Sequence, residues 1–140
     1  MKIITKAVLI SALFVGVAFA DAISERQAAM KTIGQTMKGL TAMANGDVDF
    51  DANTAKMGLM QIESAAAQLP NLYPEGSGEG ETEASPAIWT DNAKFTEVLN
   101  KFVADTKVDA VPADSFELSD KLDVISTNCK ACHADFRIKK

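Results

Sequence analysis

Histidine occurs once in this 140-residue chain, cysteine twice, and tryptophan and tyrosine once each. A structural zinc site needs four ligands, and two cysteines with one histidine fall short of it. Positive charge is also scarce, with 14 basic residues against 19 acidic ones. That balance excludes the basic surface that nucleic acid requires, and it disfavours docking on anionic lipid. No stretch alternates with period two over a useful length, so no strands are expected. Long apolar runs are missing as well, except for one at the N-terminus. The length suits a single domain.

The exception reads as an export signal. Lys2 and Lys6 precede an apolar run from Ala7 to Ala20, interrupted only by Ser11 and Gly16. The run is too short for a membrane span, which needs roughly 20 residues. It closes on Ala18-Phe19-Ala20, a small-x-small cleavage pattern. Residues 1–20 are therefore expected to be removed, leaving a mature domain over 21–140 in the periplasm, with no membrane attachment after cleavage. The mature chain would hold 12 basic and 19 acidic residues, a net charge of −7.

Apolar residues in the remainder recur at helical spacing. The first predicted helix, about Ala22 to Ala44, points Ile23, Arg26, Met30, Ile33, Met37 and Leu40 inward. The second, about Ala52 to Leu69, carries a stripe of Ala52, Ala55, Leu59, Ile62, Ala66 and Leu69. Asp49 or Asp51 can cap it, and Pro70 ends it. Residues 70–86 hold three prolines, three glycines and four glutamates, and predict a surface loop that adds nothing to a core. A third helix is expected from Pro86 to about Lys107, and a fourth from Ser115 towards Arg137. The expected fold is all-α, an antiparallel four-helix bundle. Ile33, Leu40, Leu59, Ile62, Phe95, Phe102, Leu122 and Ile125 are its predicted core.

The strongest chemical signal is Cys129-Lys130-Ala131-Cys132-His133. Two thiols at this spacing can each add across a haem vinyl group, and the adjacent histidine can bind the iron from below. Both cysteines fall on the inward stripe of the last helix. The competing readings fit less well. A thioredoxin-like pair needs a βαβ context, and a disulfide between residues three apart on a helix is geometrically poor. One covalent haem c is the expected cofactor, with His133 as the axial ligand to its iron.

Three further residues are candidate contributors to the cofactor site. Arg26 places a charge in an apolar seam, which is costly unless paired. It either snorkels out at the helix end or holds a haem propionate bidentately. Met30, one turn further on, is core filler, a sixth iron ligand, or an apolar lid over a vacant position. Arg137 follows His133 by four, so both are expected to project from one helical face. It then sits beside the imidazole, or is a solvated C-terminal charge on the helix dipole. Trp89 and Tyr73 read as packing residues.

At these residues the chain resembles the cytochrome c′ family, the class II c-type cytochromes. The marks are the C-terminal Cys129–His133 motif followed by Phe136-Arg137, the early Arg26-Gln27-Ala28-Ala29-Met30-Lys31, and the segments Leu69–Pro74 and Pro86–Trp89. The resemblance implies thioethers at Cys129 and Cys132 and proximal ligation by His133. It also implies Arg26 near a propionate, Arg137 beside the proximal histidine, and Met30 at the distal position. Family members are often homodimers, and Ala65, Ala66 and Ala67 offer a small-residue surface for that.

Two functions follow from the resemblance. High-spin members bind nitric oxide and carbon monoxide and discriminate against dioxygen. The first-helix stripe offers Met30 and Ile33 above the iron, and no hydrogen-bond donor that would favour dioxygen. The alternative is a low-spin electron carrier with Met30 as sixth ligand, working with a redox protein partner. A peroxidase-type enzyme would need a distal base, and His133 is the sole histidine. No enzymatic activity is therefore expected.

Overall fold

A computed structural model describes residues 13–138, with side chains from residue 19 onward. Five helices follow one another: α1 Leu13–Ala44, α2 Ala52–Gln68, α3 Ala87–Thr90, α4 Asn92–Asp105 and α5 Ser115–Phe136. Four of them, α1, α2, α4 and α5, form the bundle, with α1 packed on α2 and α5, and α4 packed on α5. The start of the expected export signal lies outside the described residues, and α1 runs through the expected cleavage point after Ala20.

Local chemistry sets the helix ends. Asp51 takes the N-cap of α2, its carboxylate accepting from Thr54 N–H at 2.7 Å. Asp114 caps α5 by accepting from the N–H groups of Phe116 and Glu117, both at 2.9 Å. Each cap satisfies donors that the first helical turn leaves unpaired. Pro70 sits in a single 3₁₀ turn, Leu69–Asn71, that closes α2.

All eight predicted core residues are buried. They form one contiguous cluster with Ala55, Ala66, Leu69, Ile88, Leu99, Leu118 and Phe136. Burying an aliphatic or aromatic side chain of this size stabilises the fold by about 1.5–3 kcal/mol. One residue of the α2 stripe departs from the pattern: Ala52, in the first turn, is exposed.

The chain differs from its sequence pattern in two further places, and both bear on the site. The expected third helix is broken at Asp91, where the backbone leaves the helical region (φ −123°, ψ 52°). The short α3 stays with the preceding loop, because Trp89 Nε1–H donates to the carbonyls of Tyr73 (3.3 Å) and Pro74 (3.1 Å). The loop itself, though largely exposed, is not wholly solvated. Leu72 and Ser77 are buried within it. Gly78 lies so close to Trp89 that a Cβ there would stand 2.7 Å from the indole ring. Polar composition concealed this burial, because the buried polar groups are paired by a residue distant in sequence.

Candidate functional site

On α5, Cys129 and Cys132 lie one helical turn apart, with His133 adjacent. All three are half-buried. The cysteines are free thiols, as their spacing on a helix requires. Burial pushes the Cys129 thiol up and the Cys132 thiol up to about 11. Both therefore stay protonated at neutral pH. His133 is shifted the other way, chiefly by burial and then by the positive charge of Arg137. Its imidazole is held neutral, the form that donates a lone pair to a metal.

These three residues open on a cavity of about 850 Å³. The opposite wall comes from α1, where Arg26, Met30, Ile33 and Met37 line the space. Met30 is half-buried and packs against the core. The sequence-derived candidates Cys129, Cys132, His133, Arg26, Met30 and Arg137 thus all lie on one cavity.

Both arginines have partners in the loop. Arg26 is 3% exposed and donates four hydrogen bonds to the loop. Nη1 reaches Leu72 O (3.2 Å) and Ser77 Oγ (2.9 Å), and Nη2 reaches Ser77 O and Thr82 Oγ1 (both 2.7 Å). Its guanidinium also stands 5.1 Å from the Tyr73 ring centroid. All four N–H groups of its terminal nitrogens are therefore taken by the protein. Arg137 lies beyond the last turn of α5 in extended conformation (φ −120°, ψ 130°), so it does not continue the helical face of His133. The chain turns outward there and pairs with the loop through an isolated antiparallel bridge between Ala84 and Arg137. The Arg137 guanidinium holds Glu83, with Nε at 2.8 Å and Nη2 at 2.6 Å from the carboxylate.

Sequence reasoning missed Ser77, Thr82 and Glu83 as part of this site. They sit in a low-complexity loop, and no periodicity marks them. The one available signal was Arg26, whose burial demands oxygen partners somewhere in the chain. Tyr73 joins the cavity wall and makes edge-on contact with Phe95, which in turn meets Phe136, at centroid distances of 4.9 and 5.2 Å.

A family model for cytochrome c′ matches residues 21–137. The chain belongs to the cytochrome c′ family. It is 36% identical to cytochrome c′ of Rhodopseudomonas palustris over 126 residues, covering 89% of this chain and 86% of that one. It is 32% identical to cytochrome c-556 of Agrobacterium fabrum over 143 residues, covering 100% and 97%. The crystal structure of cytochrome c′ from Rubrivivax gelatinosus superposes with a TM-score of 0.77 at 31% identity, covering 85% of this chain and 96% of that one. The nitric oxide complex of a mutant cytochrome c′ from Alcaligenes xylosoxidans superposes at 0.78 with 26% identity, covering 87% and 97%.

As a member of this family the chain is a c-type haem protein with one covalent haem c. The residues present fit that group. Cofactor sites span about 300–1,000 Å³, and the cavity falls in that range. Its wall offers two unpaired thiols and one neutral imidazole on a single helix.

Proposed function

We propose that this cytochrome c′ binds small diatomic gases, nitric oxide and carbon monoxide, at a five-coordinate haem iron. Cys129 and Cys132 carry the thioethers, and His133 is the sole axial protein ligand. Met30 shields the opposite face without binding. Arg26 and Arg137 shape the two ends of the pocket through the loop that each one holds. The observation that carries this reading is the cavity itself, lined by His133 of α5 and by Met30, Ile33 and Met37 of α1. A gas entering there displaces methionine and aliphatic packing, and the side-chain donors of Arg26 and Gln27 are already committed to the loop. Dioxygen, whose bound form gains most from a donor, is disfavoured relative to nitric oxide. The nitric oxide complex of the mutant Alcaligenes xylosoxidans relative supports the same ligand class.

The haem supplies the gas-binding and one-electron chemistry. The polypeptide's part is to hold the imidazole neutral, exclude water and keep Met30 at its distance. With His133 the only histidine in the chain, the distal side has no imidazole to move protons, which argues against a peroxidase-type activity. The match to the family begins at Asp21, the residue after the expected cleavage point. That supports export to the periplasm with residues 1–20 removed.

The deciding experiment is the ferric spectrum with carbon monoxide kinetics. A high-spin spectrum is expected, and Met30→Ala should speed carbon monoxide binding while leaving the spectrum high-spin. A second reading stands on one observation: the Met30 side chain lines the same cavity as His133. A low-spin ferric protein with a methionine–iron charge-transfer band would make Met30 a ligand. The protein would then be an electron carrier to a redox partner.

The chain is further proposed to form a homodimer. Of the alanine run Ala65 and Ala66 are buried within the subunit and Ala67 alone is exposed, so the contact is proposed on a broader surface. Beside an open groove between α1 and α2, Met57 (67% exposed), Met60 (50%) and Val48 (54%) remain uncovered. A second copy of the chain is the proposed occupant. Sedimentation should give a dimer that Met57→Glu plus Met60→Glu dissociates. A clean monomer for the unmodified protein at micromolar concentration would rule it out.

A further inference from the structure

The segment from Leu72 to Ser85 is tied to both helices that face the cavity. On one side Arg26 of α1 donates its four bonds to Leu72, Ser77 and Thr82, and Gln27 Nε2 donates to Glu81 O at 2.7 Å. On the other side the end of α5 is held by three contacts. Ser85 N–H donates to Phe136 O at 3.0 Å, Ile138 N–H donates to Glu83 O at 2.8 Å, and Arg137 pairs with Glu83. Between these anchor points, Tyr73, Thr82, Glu83 and Ala84 form part of the cavity wall.

We propose that this loop is a strut that sets the gap between Met30 and His133, and that Arg26, Ser77, Thr82 and Glu83 are positioning residues for the sixth coordination site. The inference rests on the reading above, in which Met30 and His133 stand on opposite faces of the haem. Its physical basis is the geometry of the two anchors. α1 and α5 also pack directly on each other. Beside the cavity the loop adds a second tie between them, bonded to Arg26 on α1 and to Phe136 and Arg137 at the end of α5. Arg26 and Met30 lie on one face of α1, one turn (about 5.4 Å) apart. A planar guanidinium held at both terminal nitrogens permits little sliding or rotation of the helix at that level. The second anchor fixes the loop to the residues just after His133. A fractional turn of α1 would carry the Met30 thioether towards or away from the iron. The strut thus selects between shielding and ligation.

The test uses the holoprotein, with covalent haem confirmed by intact mass. Ser77→Ala plus Thr82→Val removes two side-chain acceptors of Arg26, and Thr82→Ser keeps the hydroxyl. Glu83→Gln weakens the other anchor at a half-exposed position and guards against a double variant that fails to fold. The double variant and Glu83→Gln should each change the carbon monoxide association rate by about fivefold or more, roughly seven-tenths of a tenfold rate step in barrier terms. Each should also alter the ferric spectrum, while Thr82→Ser stays close to the unmodified protein. A role confined to stability would lower the melting temperature and leave rate and spectrum alone. That result, in variants that keep their haem, overturns the strut. Unmodified protein without attached haem overturns the underlying reading and the strut with it.

Discussion

Replacing Arg26 by methionine is the sharpest probe of the loop, because its effect can be worked out bond by bond. The substitution keeps an unbranched aliphatic stem and removes the guanidinium, with its contact to the Tyr73 ring. Two of the four acceptors keep other partners: Ser77 Oγ still donates to Pro74 O at 2.8 Å, and Thr82 Oγ1 still accepts from Ala84 N–H at 3.1 Å. The carbonyls of Leu72 and Ser77 lose their Arg26 bonds. A buried polar group left unpaired costs about 1–3 kcal/mol, which for two carbonyls is about 2–6 kcal/mol. Against this, the variant no longer buries a cation whose four hydrogen-bond partners are all neutral oxygens. Burial already works against that charge, holding the Arg26 pKa below its ordinary value. Relief of that desolvation offsets a part of the loss, leaving a net destabilisation of about 2–3 kcal/mol. For a domain of this size that corresponds to a melting temperature lower by roughly 10 °C. Thermal unfolding of both holoproteins, followed by far-ultraviolet circular dichroism, measures it. A variant melting at or above the unmodified protein would refute the reasoning, since the guanidinium would then not be what holds the loop.

Two further outcomes can be checked on the same material. Tyr73 is the sole tyrosine, and burial pushes its phenol from an ordinary value near 10 up to about 12. A raised pKa favours the protonated form in the folded state, so this contribution to stability is complete below pH 10 and is lost as pH climbs towards 12. An alkaline titration of Tyr73 absorbance with a midpoint near 10 would contradict the burial. The haem should survive acid-acetone extraction in the unmodified protein, and Cys129→Ala plus Cys132→Ala should release it. Haem retained by the double variant would assign the attachment to other residues.

The sequence by itself determined what repeats and what is contiguous. The 3.6-residue period located the bundle helices and all eight predicted core residues, since a helix must bury one face and the residues on that face announce it. The Cys-x-x-Cys-His run was legible because its five residues act from one helical turn, with no need of a distant partner. Tertiary structure alone decided how the cavity is closed. Nothing local in 70–86 marks Ser77, Thr82 or Glu83, because their partners, Arg26 and Arg137, stand 51, 56 and 54 residues away in the chain. Asp91 breaks a helix that periodicity would continue, since Trp89 is held to the loop rather than to the helix that follows. Arg137 leaves the face of His133 because the chain there turns to pair with Ala84. Periodicity reports which side of an element is buried. It carries no information about which remote oxygen satisfies a buried cation, and at this site that pairing ties the loop to the wall facing His133.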